Sequence, residues 1–302
     1  MKTYLEFVER TKKLLADASA ITPNLSAGSA PAKISANAKL RASEVSKKLS
    51  ALKLKPRALV FAPHPDDESM VSLARRFQTE CGFEIFDMAV TLGSNVARRA
   101  PRRKELSAAC KFLGWKLDVL GFERVTPASR KTDKKYWETI AESVAERILE
   151  KSPAVIFAPH SDDWNKSHIG TSLLVRDALK IVGGRWGGLL VETEYWRAMA
   201  KPNLVSEASC EVIASLVGAV ALHAGEVERN AYHLRFPAYM ADNVRRGAEL
   251  VGGQGGQSPD FPFGQLYRVL VNKNGKLRAA FEKKSLPAAV CACSLLDSIL
   301  WK

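Results

Sequence analysis

The chain has 302 residues, of which 46% are hydrophobic and 25% are charged. These proportions are typical of a folded globular protein and exclude disordered and collagen-like classes, and the length suffices for one large α/β domain. No apolar run reaches the roughly 18 residues of a membrane-spanning helix, and the first residues lack the apolar segment of a signal peptide. We therefore expect a cytoplasmic protein without a transmembrane segment.

The formal net charge of +13 reflects 45 basic and 32 acidic residues. The basic residues are spread along the whole chain, without the Arg-rich helix or the aromatic-interleaved basic motif that is typical of nucleic-acid binding. The charge therefore predicts no nucleic-acid partner, and it remains compatible with an anionic small molecule or surface.

The five cysteines are odd in number and lack paired Cys-x-x-Cys spacing. This pattern favours reduced thiols over a disulfide framework or a sulfur-ligated zinc site. The residues concerned are Cys81, Cys110, Cys210, Cys291 and Cys293.

The N-terminal segment reads as an extension that precedes the main domain. Residues 4–15 have helical spacing, residues 21–36 form a connector rich in Pro, Ser, Ala and Gly, and a second helix is predicted over residues 38–52. We therefore expect an N-terminal helical extension with its linker over residues 1–55.

Strand-like and helix-like segments alternate in the main domain. It opens with the short apolar run Ala58-Leu-Val-Phe-Ala62, which indicates a strand buried on both faces. Further strands are predicted over residues 83–91, 116–120, 154–158 and 188–194, and helices over residues 69–80, 102–113, 135–150 and 169–181. This alternation predicts an α/β fold with a Rossmann-like, doubly wound, mostly parallel sheet.

Toward the C-terminus the pattern is weaker. Residues 207–228 are predicted as helical and residues 264–270 as a strand, and the apolar stretch 286–301 has the length of a docked helix. The glycines of residues 252–256 lack the spacing and the Lys of a Walker motif, so we interpret them as a flexible loop. The predicted main domain thus spans residues 56–285, and a C-terminal apolar tail spans residues 286–302.

The motif Ala62-Pro-His-Pro-Asp-Asp-Glu68 directly follows the first buried strand. Ligands of open α/β sheets bind at the carboxyl ends of the strands. Imidazole nitrogen and carboxylate oxygen are ligands of catalytic zinc, which takes three protein ligands and one water. We therefore predict that His64 and Asp67 are two ligands of a metal site.

A second polar cluster follows the apolar strand at residues 154–158 and contains His160 and His168. Parallel strands of one sheet present their carboxyl ends at the same edge. We therefore predict that His168 completes the site as the third ligand.

Together these motifs resemble the N-acetylglucosaminyl-phosphatidylinositol de-N-acetylase family, also called PIG-L or LmbE-like deacetylases. The resemblance implies an LmbE-like fold, Zn²⁺ bound by His64, Asp67 and His168, and Asp66 as the general base. Fe²⁺, Mn²⁺ and Co²⁺ also accept such ligands. The resemblance continues through Thr91-Leu-Gly93 and the segment that begins at Arg102. It implies that Arg102 contacts the substrate. His223 lies in a later element that resembles the family and is a second predicted substrate contact.

The second loop departs from the family pattern. Where the family has Asp-x-His-Pro-Asp-His, this chain has Asp163-Trp-Asn-Lys-Ser-His168, so Asn165 replaces the first His and Ser167 the inner Asp. An amide can donate a hydrogen bond to a developing oxyanion, and Asn165 is therefore a predicted catalytic residue. It cannot protonate a leaving amine, so we expect Asp66 to return the proton that it accepts, with His160 or His223 as further candidates for assistance.

The resemblance implies a zinc-dependent hydrolase that removes an acetyl group, or cleaves a related amide, from an N-acetylglucosamine-type sugar conjugate. The expected partner is that small-molecule conjugate, an anionic one included. Two alternatives stay open. One is an amidase of the same fold that acts on a thiol conjugate or a modified antibiotic. The other is a catalytically silent protein that binds carbohydrates or anions.

Overall fold

A computed structural model describes residues 1–20 and 55–296 of the chain. The predicted connector over residues 21–36 and the predicted helix over residues 38–52 lie outside the described residues. The first described element is helix α1, Lys2–Ala20, which packs on the main domain through the buried side chain of Val8. The expected N-terminal helix is thus confirmed.

The strands of the main domain form one continuous sheet. In chain order they are β1 Arg57–Ala62, β2 Glu84–Ala89, β3 Lys116–Val119, β4 Val155–Pro159, β5 Leu189–Thr193, β6 Leu204–Glu207, β7 Gly264–Lys273, β8 Lys276–Ala279 and β9 Lys284–Leu286. The helices that follow α1 are α2 Ser72–Cys81, α3 Arg99–Leu113, α4 Pro127–Thr132, α5 Lys134–Lys151, α6 Lys166–Val182, α7 Cys210–Ala221, α8 Ala224–Arg229 and α9 Tyr232–Leu250.

The strand order confirms the predicted doubly wound, mostly parallel sheet. The order is β3-β2-β1-β4-β5-β7-β6-β9, and the first five of these strands run parallel to one another. After β3 the chain returns to the centre and places β4 directly beside β1, where Val60 pairs with Phe157. This reversal is a topological switch point, which is where such sheets bind ligands.

The far side of the sheet is mixed: strand β7 is antiparallel to its neighbours, whereas β9 runs parallel to β6, and the sequence predicts only β7. Strand β7 runs antiparallel to both β5 and β6, and it continues into β8 through a turn in which Asn274 and Gly275 have positive φ angles of 53° and 79°. Such a pair suits a tight hairpin. Strand β9 pairs with β6. Strands β6, β8 and β9 have four residues or fewer each, too short for a clear alternation along the sequence.

The predicted continuous helix over residues 207–228 is wrong in its extent. Residue Glu207 ends β6, and α7 begins only after Ser209, whose hydroxyl accepts the N–H of Val212 as a helix cap. A second break falls at His223, which precedes α8. The apolar run within α7 gives no indication of these two ends.

The two faces of β1 explain its unbroken apolar sequence. Ala58 and Val60 pack in a cluster with α1, α2, α3 and α7, whereas Leu59 and Phe61 pack in a second cluster with α5 and α6. Successive side chains of a strand point to opposite faces, so a strand covered on both sides must be apolar throughout. The sheet edge with its loops therefore remains as the place for polar chemistry.

The C-terminal segment docks on helix α2. Arg76 of α2 is buried and donates to the carbonyl oxygens of Leu286, Pro287 and Val290 at 3.2, 3.2 and 2.7 Å. The described part of the predicted helix over residues 286–301 contains instead the end of β9 and a 3-10 turn, Ala292–Leu295. In this segment Arg76 donates hydrogen bonds to backbone carbonyl groups. An α-helix would need those carbonyl groups for its own hydrogen bonds.

The pairing of two cysteines corrects the expectation of five reduced thiols. Cys81, the last residue of α2, forms a disulfide with Cys293. The two residues are 212 positions apart in the chain, so no local spacing indicates the pair. Within residues 1–20 and 55–296, none of the helices combines the length and apolar character that a bilayer crossing requires.

Candidate functional site

Two loops meet at the switch point between β1 and β4 and carry the predicted metal ligands. The loop after β1 contributes His64 and Asp67, and the first turn of α6 contributes His168. The Nδ1 atom of His64 and the Nε2 atom of His168 each lie 3.2 Å from Oδ2 of Asp67, and the two nitrogens are 3.3 Å apart. The structure thus brings together the three side chains that were predicted as ligands.

The chemistry and spacing of these three groups fit a divalent cation. Ligands that lie about 2.0–2.2 Å from one tetrahedral ion are about 3.4 Å from each other, close to the separations of His64, Asp67 and His168. The three donor atoms lie within 4.8 Å of one another, and the ring of His168 is fully buried. Two imidazoles and one carboxylate form a donor set that leaves a fourth position for water.

A buried carboxylate lies behind the ring of His168. Oδ2 of Asp163 is 3.6 Å from Nδ1 of His168, and the two oxygens of Asp163 also accept the backbone N–H groups of Asn165 and Trp196 at 2.8 and 3.2 Å. Burial alone lowers the pKa of His168, but the carboxylates of Asp67 and Asp163 outweigh it and raise the pKa to about 10. Carboxylates in this position orient histidine ligands in metal sites.

Asp66 has an unusual backbone conformation and a tightly held side chain. Its φ of 121° is one that non-glycine residues rarely adopt. The Tyr232 hydroxyl donates to its Oδ2, Nη2 of Arg102 lies 3.4 Å from its Oδ1, and its own N–H donates to Oε2 of Glu68 at 2.8 Å. Burial and the charge of Asp67 raise the pKa of Asp66 to about 8. The surrounding contacts thus hold a strained residue beside the candidate metal ligands.

Glu68 and His223 form a buried pair beneath this loop. Both side chains are fully buried, and Nε2 of His223 donates to Oε1 of Glu68 at 2.8 Å. Burial lowers the pKa of His223, but the charge of Glu68 outweighs this effect and the pKa is raised. A fully buried ring offers no surface to a substrate. In place of the predicted substrate contact we therefore propose that His223 positions Glu68 and, through it, the backbone of Asp66.

Arg102 crosses from helix α3 to the loop of Asp66. Its Nη2 donates to the carbonyl oxygen of Pro65 at 3.0 Å, and its Nε lies 3.5 Å from Oε1 of Glu226. The path of this side chain requires glycine at position 93, where a Cβ atom would lie 2.4 Å from Nη1 of Arg102 and where φ is +89°. Contact of Arg102 with substrate stays a prediction, and its contact with the Asp66 loop is observed.

Asn165 caps the helix that carries His168. Its side-chain oxygen accepts the N–H of Ser167 at 2.9 Å, which fixes the first turn of α6 and leaves the amide nitrogen as the donor group. The predicted oxyanion contact stays a prediction. Nε2 of His160 lies 2.9 Å from the carbonyl oxygen of Arg197, so this nitrogen carries the proton and His160 ties the loop after β4 to the loop after β5.

Several residues at the site carry no signal in the sequence. Tyr232 contacts Asp66 from 166 positions away and begins helix α9, which was not predicted. Trp164 and Trp196 are 73% and 58% exposed and lie in the two loops that flank His168. For Trp164 alone, its position between Asp163 and Asn165 in the second loop is a sequence feature that could have placed it near the site.

The family profile described as PIG-L, GlcNAc-PI de-N-acetylase, matches residues 59–179. The match includes the loops of His64, Asp66, Asp67 and His168 and confirms the resemblance carried by the motifs. No curated protein sequence shows significant similarity to the chain.

Solved structures with the same fold include proteins of different activities. N,N'-diacetylchitobiose deacetylase from Pyrococcus horikoshii is 16% identical with a TM-score of 0.54, and the match covers 82% of this chain and 95% of that one. The zinc inhibited form of teicoplanin deacetylase Orf2 is 15% identical with a TM-score of 0.52 and coverages of 72% and 99%. The 4-carboxy-2-hydroxymuconate hydratase GalB from Pseudomonas putida KT2440 is 16% identical with a TM-score of 0.51 and coverages of 72% and 96%.

The presence of a hydratase beside deacetylases means that the fold alone does not fix the reaction. The strand order, the convergence of His64, Asp67 and His168 and the family match agree with one another. Over residues 59–179, which include the loops of these three residues, the chain is similar to the GlcNAc-PI de-N-acetylase family of PIG-L or LmbE-like proteins.

Proposed function

We propose that this chain is a metal-dependent N-deacetylase that hydrolyses the acetamide of an N-acetylglucosamine-type sugar conjugate. The observation that carries the proposal is the convergence of His64, Asp67 and His168, with the carboxylate of Asp66 held beside them by Tyr232 and Arg102. A metal site with an adjacent base is the arrangement that amide hydrolysis needs.

We assign the metal to His64, Asp67 and His168, with zinc as the preferred ion. When bound, a divalent cation there would polarise the acetamide carbonyl and lower the pKa of a bound water. The protein's own part is to hold His168 in one orientation. Asp163 and the cap of Asn165 do this from behind the ring and from the helix start.

Asp66 is the proposed general base. A divalent cation bound beside it would favour its ionised form. In that form the carboxylate accepts the proton of the attacking water, and the donors Tyr232 and Arg102 keep both oxygens oriented. Since burial raises the proton affinity of this carboxyl, it can hold the proton until the C–N bond breaks. The same carboxyl then returns the proton to the departing amine.

Asn165 is the proposed donor to the developing oxyanion. Its carbonyl oxygen is engaged in the helix cap, so the amide nitrogen is the atom to donate. A neutral amide stabilises an oxyanion without supplying a proton. The proton of the leaving amine must therefore come from Asp66, in agreement with the role proposed for it.

The rim of the site favours a sugar-containing substrate. Trp164 and Trp196 are exposed; Trp164 lies in the loop that leads to His168, and Trp196 follows Tyr195, whose ring packs edge-on against that of His168. Indole rings offer broad apolar faces together with one polar N–H group. The apolar C–H face of a sugar ring fits such a surface. Arg197 in the loop after β5 and Lys166 at the start of α6 are exposed and suit an anionic conjugate.

A second candidate is an amidase that acts on another conjugate, for example a glycopeptide. The replacement of the family His and Asp by Asn165 and Ser167 favours it, because these positions lie beside His168 in the loop that frames the site. On this hypothesis, the sequence of this loop differs from the family pattern because the substrate differs.

The experiment that tests both is acetate release from a panel of N-acetylglucosaminyl conjugates and acylated glycopeptides, with metal content measured in parallel. We expect turnover in the wild type, lost turnover with retained metal in Asp66→Asn, and lost metal in His168→Ala. Asp162→Asn, an exposed neighbour on the second loop, is the control and keeps both. A wild type that takes up no metal under replete conditions would refute the proposal, and activity on the glycopeptides alone would favour the second candidate.

A further inference from the structure

Three cysteine sulfurs converge at the end of helix α2, on the opposite end of this helix from the His64 site. Cys81 is bonded to Cys293, and the sulfur of Cys291 lies 3.6 Å from that of Cys81. All three sulfurs lie within 4.8 Å of one another. Because α2 has ten residues and is therefore about 15 Å long, this cluster is separate from the catalytic metal ligands.

Contacts other than the disulfide hold the segment that carries Cys291 and Cys293. Arg76 binds the carbonyl oxygens of Leu286, Pro287 and Val290, and Oε2 of Glu80 accepts the N–H of Ala292 at 2.7 Å. Ala292 lies between the two cysteines, so Glu80 fixes the segment at the cluster itself. The position of this segment on α2 therefore does not depend on the sulfur–sulfur bond alone.

We propose that the reduced form of Cys81, Cys291 and Cys293 is a binding site for a soft divalent cation of the Zn²⁺ or Cd²⁺ type. A dithiol reductant supplies two electrons and two protons, the bond between Cys81 and Cys293 breaks, and both residues become thiols. The cation then binds the three sulfurs as thiolates and releases their protons to solvent.

The geometry of the cluster fits this ligand class. Two thiolates at about 2.3 Å from one tetrahedral ion are roughly 3.8 Å apart, close to the 3.6 Å between Cys81 and Cys291. Soft thiolates select zinc and related ions over magnesium or calcium. Cys81 and Cys291 are half-buried, so water or an external ligand can reach the fourth position. The Cys-x-x-Cys rule fails to indicate the site because one ligand comes from a remote helix.

The test is a titration of the reduced full-length protein with Cd²⁺ after the reductant has been removed without air. Thiolate-to-cadmium charge transfer absorbs in the ultraviolet, whereas the His and Asp ligands of the other site give no such band. We expect the band to saturate at one Cd²⁺ per chain and to disappear when oxidised glutathione re-forms the disulfide. His168→Ala should keep the band, which separates this site from the catalytic one.

Matched substitutions identify the ligands. Cys291→Ser and Cys293→Ser should each lose most of the band, whereas Cys110→Ser and Cys210→Ser, the same change at the two buried cysteines outside the cluster, should keep it. Circular dichroism of each variant verifies folding, and Cys81→Ala provides a second ligand variant if Cys293→Ser does not fold. Absence of the band in reduced wild type, or a full band in folded Cys291→Ser and Cys293→Ser, would overturn the proposal.

Discussion

Asp163 lies behind His168, with its Oδ2 atom 3.6 Å from Nδ1 of the ring, while Nε2 on the other side of the ring faces Asp67. A carboxylate in this position fixes which ring nitrogen carries the proton and increases the basicity of the other. We expect Asp163→Asn to weaken metal affinity by about 10- to 100-fold. Competition with a chelator measures the change. Asp162→Asn is the control, and equal affinities in the two variants would argue against the role of Asp163.

Metal binding should depend on pH through His168. In the metal-free protein its pKa is raised to about 10, so a cation must displace a proton from the ring at neutral pH. At pH values below that pKa, the metal affinity should therefore increase by about tenfold for each unit by which the pH is raised. Calorimetry in buffers of different ionisation enthalpy should detect proton release at pH 7. Binding without proton release would contradict this expectation.

The same group links pH to the stability of the metal-free protein. The folded state binds the His168 proton more tightly than the unfolded chain, in which the pKa of histidine is 6.5. This contribution to the free energy of unfolding is fully present below pH 6.5 and is lost as pH rises toward 10. We expect urea unfolding to show a decline over that window in the wild type and a smaller one in His168→Gln. Equal declines would assign the effect to other groups.

Tyr232→Phe should lower kcat/KM without loss of metal. The substitution removes the hydroxyl that donates to Asp66, and a hydrogen bond to a charged group contributes about 1.5–3 kcal/mol, or roughly 10- to 150-fold. Tyr136→Phe is a matched control, because its hydroxyl accepts the N–H groups of Glu123 and Arg124 away from the site. Unchanged kinetics in Tyr232→Phe would mean that Arg102 alone orients the base.

Trp164→Ala and Trp196→Ala should raise KM for a sugar conjugate by several-fold to about tenfold, because a stacked aromatic contact contributes on the order of 1 kcal/mol. We expect kcat to stay within about twofold, since neither indole is proposed to contact the reacting atoms. Ile181→Ala, an exposed apolar residue near the far end of α6, is the control. A loss of kcat with unchanged KM would show that the rim acts on the chemistry instead.

The convergence of His64, Asp67 and His168, the candidate metal ligands, was predictable because each belongs to a local pattern. A fully apolar strand followed at once by polar residues marks the carboxyl end of a buried parallel strand, and this occurs before both His64 and Asp163. Two such ends in one parallel sheet must meet at one edge. The fold and the ligand positions therefore follow from the same observation.

The contacts of Asp66 were not predictable, because they come from elements that have no distinctive pattern. Tyr232 lies at the start of a helix that follows the six-residue helix α8, and its position depends on how α9 packs on the sheet. His223 shows the converse. Its local sequence fits a family element, but only the three-dimensional structure reveals that Glu68 occupies its ring nitrogen in the interior.

Asp163 also connects metal binding with substrate binding, which are usually measured separately. One of its oxygens faces His168, and the same oxygen accepts the backbone N–H of Trp196, in the loop that is proposed to contact the substrate. A ligand that moves the Trp196 loop must therefore alter the environment of the metal ligand as well. By thermodynamic linkage, the factor by which metal changes substrate affinity equals the factor by which substrate changes metal affinity. Retention of the ion and occupancy of the cleft then become two measurements of a single coupling free energy.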